Sequence, residues 1–130
     1  MFTVEQIMSA HSKVKSGADF PAYVQEIKKL GVRYYQTFVS DGHTTYHGTD
    51  NYQVTSPGKY DTLDIAAQYD QTQFELGLKA HQQGLTDYPA FITACATFGV
   101  EKWEVNIDKM TCTYFDREGR NVLTEVVPQG

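Results

Sequence analysis

The stretch DFPAYVQEIKKLGV (residues 19–32) occurs again, in altered form, as DYPAFITACATFGV (residues 87–100). An alignment of the two stretches continues without a gap as far as Tyr46 and Tyr114. Both stretches have Asp and Pro near the start and Gly-Val at the end, and the apolar positions between them follow the i, i+3, i+4, i+7 spacing of an amphipathic helix. The sequence therefore predicts an internal duplication, with one such helix in each half.

Each predicted helix has a capping residue at its start and a glycine at its end. Asp19 and Asp87 are suitable N-cap residues, and the proline in the first turn has no N–H to leave unsatisfied. Gly31 and Gly99 can adopt the left-handed conformation that ends a helix. The residues that follow alternate with the period of two that is typical of β-strands. They are Tyr35, Thr37 and Val39 in the first half and Trp103, Val105 and Ile107 in the second.

Another helix precedes each of these, and a hairpin follows the first strand. The pattern Thr3-Val4-Glu5-Gln6 is typical of a capping box and predicts a helix, whose counterpart begins at about Asp70. Asp41-Gly42 is a strong signal for a hairpin turn. Residues 52–55 and 62–65 compete for the third strand of the first half, and we expect an extra short hairpin there.

Together these elements predict an α+β fold built from a duplicated α-α-β-β(-β) unit. The pseudo-repeat halves are about residues 3–66 and 70–127 of a single domain that covers 1–130, with a strand at 121–127 closing the second half. We expect antiparallel meanders with the helices packed on one face. The choice between one continuous sheet and two packed sheets stays open.

Composition argues against several classes of partner. The net charge is −5 and no cluster of basic residues exceeds Lys28-Lys29, so neither nucleic acid nor a membrane surface is a predicted partner. No apolar run approaches the roughly 20 residues that span a bilayer. The start of the chain lacks the pattern of a secretory signal. Cys95 and Cys112 are too few for a disulfide framework, and we predict a cytoplasmic protein with free thiols.

The two halves diverge around the first strand and its turn. Side chains that only one half carries are not required by the fold, so we predict a ligand-binding surface in the first half. Its candidate residues are Asp41, His43, Tyr46, His47, Tyr34 and Phe38. The second half has Lys102 and Asn106 where the first has Tyr34 and Phe38. The alternative is that the loop at 49–61 covers this side of the sheet.

His43, His47 and Asp41 carry side chains that could bind zinc or iron. The spacing defines no third strong ligand, and alternating histidines on an exposed strand are common. We therefore predict neither a metal nor another cofactor, and keep a weak His43/His47 metal site as an alternative.

A homodimer is predicted, with a candidate interface on the second repeated helix. Its candidate residues are the small, uncharged Thr93, Ala94, Ala96 and Thr97, which replace charged or amide residues of the first half. The alternative is that this helix face is buried against the first half.

His11 and His81 recur at equivalent places, each a few residues before a capping aspartate. The pairs His11/Asp19 and His81/Asp87 could form an acid–base centre, which would make the protein a small enzyme. No nucleophile accompanies them, so we predict no catalytic residues. The favoured interpretation is a buried imidazole that bonds a backbone carbonyl or the next helix cap.

Three segments of the chain resemble a known family. AHSKVKSGADFPAYV, YYQTFVSDGHTTYHG and the later KAHQQG, DYPAF and GVEKWEV are similar to the YbcV-like family. These are small bacterial and prophage-encoded proteins of unknown function, often labelled "phage envelope protein", and the resemblance implies no activity. We predict a non-enzymatic protein that binds a protein or small-molecule partner.

Overall fold

The computed structural model describes residues 2–14 and 19–126, and within them the chain forms four helices and six strands. The helices are α1 (Val4–His11), α2 (Phe20–Leu30), α3 (Gln71–Gln82) and α4 (Tyr88–Thr97). The strands are β1 (Tyr34–Phe38), β2 (Thr44–His47), β3 (Gln53–Ser56), β4 (Lys102–Asn106), β5 (Thr111–Phe115) and β6 (Asn121–Val126). This confirms the α+β class. Residue 127, the predicted end of the closing strand, lies outside the described residues.

The ends of the helices follow the sequence signals. The backbone N–H of Gln6 donates to Thr3 Oγ1 (3.2 Å) and that of Thr3 donates to Gln6 Oε1 (2.9 Å), so the capping box is confirmed. Asp87 Oδ1 accepts from the backbone N–H of Ala90 (2.9 Å) at the start of α4. Gly31 has φ = 108° at the end of α2. Asp19 precedes α2 but its side chain makes no capping hydrogen bond, so the predicted cap is wrong at this helix. The other helices begin where their capping residues predict.

All six strands form one antiparallel sheet in the order β3-β2-β1-β4-β5-β6, which settles the choice between one sheet and two. The two meanders meet at β1 and β4. There Gln36 lies opposite Glu104, the residue aligned with it in the second half, while Tyr34 lies opposite Asn106 and Phe38 opposite Lys102. The two halves are thus arranged symmetrically about the centre of the sheet. The duplication itself stays a prediction.

The third strand of the first half is β3, one residue later than the predicted 52–55. The expected extra hairpin is wrong, because residues 57–69 contain no strand. Their backbone bonds go to other elements instead. The N–H of Lys59 donates to Asp41 O (2.7 Å), that of Leu63 to Ser40 O (2.7 Å) and that of Ala66 to Ala96 O (2.9 Å). A segment whose backbone groups are used in this way cannot pair with itself.

The helices pack on one side of the sheet, where the core lies. Ring contacts join the two layers: Tyr23 of α2 lies against Tyr35, Phe91 of α4 against Trp103, and Phe74 of α3 against Tyr114. Burial of each large apolar side chain contributes about 1.5–3 kcal/mol. The buried helical residues include Ile7, Val24, Ile27, Phe74, Leu78, Phe91, Ile92 and Cys95. None of the described helices is long and apolar enough to cross a membrane.

Candidate functional site

Within the described part of the chain, no helix packs on the side of the sheet opposite the core. This side, the open face, presents three rows of side chains that run across the strands. The Tyr34 row contains Gln53, His47, Tyr34, Asn106, Thr111 and Val126. The threonine row contains Thr55, Thr45, Gln36, Glu104, Thr113 and Thr124. The ring row contains His43, Phe38, Lys102 and Phe115.

The threonine row is a line of cross-strand hydrogen bonds. Thr45 and Thr55 share a bond between hydroxyls (3.2 Å), and Thr113 and Thr124 share another (3.2 Å). At the centre, the Gln36 amide donates from Nε2 to Glu104 Oε1 (2.8 Å). These polar groups are thus bonded to their neighbours across the strands.

The ring row is a stack that crosses four strands. The His43 ring lies flat against Phe38, with centroids 4.4 Å apart and planes 7° from parallel. Lys102 Nζ lies 5.6 Å from the centroid of Phe38 and 5.2 Å from that of Phe115, so the ammonium sits between two aromatic rings. The flat faces of these rings contact their neighbours, and only the edges of the rings point away from the sheet.

Asp41 lies beside His43, at the end of the ring row that belongs to the first half. Its Oδ1 accepts from the backbone N–H of His43 (3.0 Å) and lies 2.5 Å from His43 Nδ1. The backbone hydrogen bond from His43, followed by the bond from its ring, lowers the pKa of Asp41. An ionised carboxylate therefore holds the imidazole in its stacked position against Phe38.

A second stacked pair lies in the Tyr34 row. The rings of Tyr34 and His47 have centroids 4.2 Å apart and planes 6° from parallel. At the nearby end of β1, Arg33 donates from Nε (2.9 Å) and Nη2 (2.7 Å) to Asp108 Oδ2. This end of the open face thus has a histidine stack beside a charge pair that is already satisfied.

The structure brings together five of the six predicted ligand-binding residues and leaves one out. Tyr34, Phe38, His43 and His47 share the open face, and Asp41 adjoins it. Tyr46 does not share it, because alternate residues of a strand point to opposite sides. Its side chain is 5% exposed in the core, with its hydroxyl 3.5 Å from that of Tyr23.

The loop at 49–61 does not cover the open face, so the alternative interpretation of this region is wrong. The Tyr52 hydroxyl donates to Phe2 O (2.5 Å) and the Tyr60 hydroxyl donates to Val39 O (2.6 Å). Both rings pack against the core, on the helical side of the sheet. The loop turns toward that side because its aromatic residues find apolar partners there.

The alternative metal site at His43 and His47 is not formed. His43 directly precedes β2 and His47 ends it, four positions and about 13 Å of extended chain apart, so their rings cannot bind the same ion. No group of three or more potential ligands occurs among the described residues.

His11 and His81 are packing residues in this structure. The His11 ring contacts Tyr23 edge-on (5.3 Å), while the His81 ring stacks on Phe91 (4.6 Å). His81 Nδ1 lies 3.3 Å from Thr86 O, so the predicted bond to a backbone carbonyl is present in the second half. Burial lowers the pKa of both imidazoles; nearby Lys59 lowers that of His11 further, whereas the Thr86 carbonyl and the charge of Asp87 oppose the shift at His81.

The two surface depressions that the described residues form do not adjoin the histidine–aspartate pairs. Two shallow depressions, of about 300 and 510 Å³, are present near the loop at 63–65 and beside the start of α3. Neither is lined by His11 or His81. Asp87 already uses its carboxylate to cap α4. The acid–base interpretation therefore gains nothing from the geometry.

The predicted interface on α4 is not one exposed surface. Ala96 is 6% exposed, and its carbonyl accepts from the N–H of Ala66. Ala94 faces α3 so closely that a Cβ added to Gly77 would lie 3.3 Å from its own Cβ. Only Thr93 and Thr97, one turn apart, are exposed. Ala94 packs against α3 of its own half, whereas Ala96 bonds Ala66 at the end of the first half, so burial against the first half applies only to Ala96.

Sequence reasoning missed the residues that complete the open face. The sequence gives no signal that assigns Gln36, Glu104 or Phe115 to the site. It shows Lys102 only as a difference between the halves. Period-two alternation does place them on the outer side of their strands. What the sequence lacked was the pairing of β1 with β4, which brings Lys102 beside Phe38.

The chain matches known proteins over most of its length. The description "Protein of unknown function (DUF1398)" belongs to a family profile that matches residues 8–126. Uncharacterized proteins of Mycobacterium bovis and Mycobacterium tuberculosis are each 29% identical to it over 98 residues, which are 74% of this chain and 59% of the relative. The chain thus spans less than two thirds of the length of these relatives. The resemblance stated from the sequence implied no activity, which agrees with the description of this family.

Proposed function

The chain belongs to the DUF1398 family of proteins of unknown function, and we propose that it acts without catalysis by binding a partner on the open face of its sheet. The observation that carries this proposal is the pair of histidine–aromatic stacks on a side that no described helix covers. The aligned positions of the second half lack these rings in the same arrangement. The fold can therefore be built without them.

The shape of the open face favours a protein partner over a small planar ligand. Ring faces would be the natural platform for a flat ligand, but those of His43 and Phe38 are stacked on each other. The threonine row between the two stacks presents hydroxyls, and neither of the two surface depressions is lined by its residues. A surface of stacked rings, hydroxyls and one central amide–carboxylate pair is suited to another broad surface.

Native mass spectrometry of the protein purified from its own cells tests the proposal. We compare the wild type with His43→Ala/His47→Ala and with a matched control on the helical side, Lys28→Ala/Lys29→Ala. The wild type and the control are expected to carry a bound species that the histidine variant has lost. Absence of any bound species from the wild type, or its retention by the histidine variant, would contradict binding at the open face.

The same variant must remain folded for that comparison to be meaningful. Removal of two half-buried rings from a surface is expected to change the free energy of unfolding by less than about 1 kcal/mol. Thermal unfolding of His43→Ala/His47→Ala measures this. A large fall in Tm would mean that the stacks serve stability, and the proposed role would be lost.

Two further parts of the proposal concern the location of the protein in the cell and its relation to other families. We place the protein in the cytoplasm, which is supported by Cys95 and Cys112 being free thiols in the core. The narrower kinship with YbcV-like proteins of bacteria and prophages is supported by the quoted segments. Neither part depends on the open face.

A further inference from the structure

We propose that the partner on the open face is a second copy of this chain, an inference that rests on the proposed function. The two copies would pack sheet against sheet, each covering the ring row and the threonine row of the other. The argument comes from two charged side chains near the centre of the face and from the rows that flank them.

Lys102 and Glu104 are the charges in question. They are two residues apart on β4, so both point outward on the open face. Lys102 contacts the rings of Phe38 and Phe115, and Glu104 accepts from the amide of Gln36. Neither has an opposite charge within ion-pair distance among the described residues, whereas Arg33 is already paired with Asp108. The face therefore keeps one cation and one anion without a counter-charge.

The order of these charges makes the face complementary to itself. Consider a twofold axis that lies between the two facing sheets, runs perpendicular to the strands and passes between Lys102 and Glu104 of β4. This axis reverses the strand direction in the second copy. Lys102 of each copy then lies over Glu104 of the other, which forms two identical ion pairs. Symmetric interfaces of this kind require that each contact occur twice. An axis through Glu104 itself would instead place like charges together.

The neighbouring rows agree with the same axis. Rotation about this axis places the ring row of one copy over the threonine row of the other. Thr113 would meet Phe115, Gln36 would meet Phe38, and Thr45 would meet His43. Short β-branched side chains against ring edges match the spacing of about 10 Å between packed sheets. The contacts thus pair a row of rings with a row made mostly of threonines.

The size of the face sets the expected strength. Six strands about 4.8 Å apart and about 17 Å long give a plan area of roughly 500 Å² for each copy. Because the proposed axis overlaps only two of the three rows, the two copies together bury less than the roughly 1,200–2,000 Å² found in stable interfaces. We therefore expect a reversible dimer whose population depends on protein concentration.

Sedimentation equilibrium over a wide concentration range, with charge-reversal variants, tests this. Lys102→Glu and Glu104→Lys should each weaken the dimer at least tenfold, because each places like charges together at both contacts. The double variant Lys102→Glu/Glu104→Lys exchanges the charges and should restore most of the affinity. Lys28→Glu on α2 and Glu75→Lys on α3 are matched controls on the helical side and should leave the affinity unchanged. Circular dichroism confirms that all variants are folded.

Three results would overturn the inference. A wild type that stays monomeric at every concentration excludes the second copy. A dimer that is insensitive to both single variants places the interface elsewhere. Weakening by both single variants without recovery in the double variant excludes the Lys102–Glu104 pairing.

Failure here is distinguishable from failure of the proposed function. A monomeric wild type that still carries another bound species, lost in His43→Ala/His47→Ala, keeps the open face as a binding surface and changes only the partner.

Discussion

The two halves of the chain agree on the inner side of the sheet and differ on the open face. Inside, Tyr46 and Tyr114 occupy aligned positions and are 5% and 6% exposed. Outside, His43 is aligned with Thr111 and His47 with Phe115. A core position must fill a volume with apolar atoms, so it tolerates few side chains. The open face has no such constraint in the monomer, so its side chains are free to diverge between the halves.

The largest expected effect comes from the aligned core positions Ile27 and Cys95, which are both fully buried. Ile27→Ala should lower the free energy of unfolding by about 2–5 kcal/mol, because it leaves a cavity beneath α2. Cys95→Ala removes a single heavy atom and should cost clearly less. Urea unfolding measures both, with the exposed Met8→Ala as a control near zero. Equal losses at the two positions would show that the halves do not pack their cores as the structure indicates.

Substitution of the glycines that end the repeated helices should give the next largest loss of stability, and the loss should differ between the halves. Gly31 (φ = 108°) has only the Phe2 side chain near an added Cβ, at 3.8 Å. At Gly99 (φ = 88°) an added Cβ would collide with the backbone of Gln68. Gly31→Ala should cost about 1–2 kcal/mol from backbone strain, and Gly99→Ala at least about 2 kcal/mol.

Thermal and urea unfolding compare the two glycine variants. Gly84→Ala is the control, since its φ is also positive (76°) but no atom lies near an added Cβ. If Gly99→Ala were no worse than Gly84→Ala, the close approach of residue 68 to the end of α4 would be wrong.

A smaller, pH-dependent effect should distinguish the turn carboxylates Asp116 and Asp41. Burial acts to raise the pKa of Asp116, but hydrogen bonds from Arg120 and Glu118 lower it overall; bonds from His43 lower that of Asp41. Each folded pKa lies below the unfolded value, so the stabilisation is present above the ordinary carboxyl pKa of about 3.9 and is lost as the pH falls through the folded pKa.

Replacement by asparagine checks this. Asp116→Asn should cost about 1–2 kcal/mol at neutral pH, since the buried carboxylate accepts several hydrogen bonds. Asp41→Asn should cost less, because its side chain is 38% exposed. Both differences from the wild type should shrink in urea unfolding as the pH falls below about 4. A cost that did not change with pH would show that ionisation of these groups contributes nothing.

How much the sequence could predict depended on the distance over which each signal acts. Thr3 and Gln6 bond within one turn, and Gly31 ends a helix by its own dihedral angle, so both were readable from neighbouring residues. The position of Ala96 was not, because its burial depends on Ala66, which reaches it across a loop. Tyr46 was assigned to the wrong side although strand alternation could have placed it with the core residue Thr44 rather than with His43.

The sequence by itself determined the order of the helices and strands apart from the extra hairpin, most of the caps, and the alternation that separates the two sides of each strand. These features depend on local dihedral preferences and on periodicity, which need no knowledge of the other half. Only the tertiary structure decided that DFPAYVQEIKKLGV and its altered copy lie above one sheet joined at Gln36 and Glu104. That pairing depends on residues far apart in the chain, and it alone brings Lys102 between Phe38 and Phe115 and leaves one side of the sheet without a described helix.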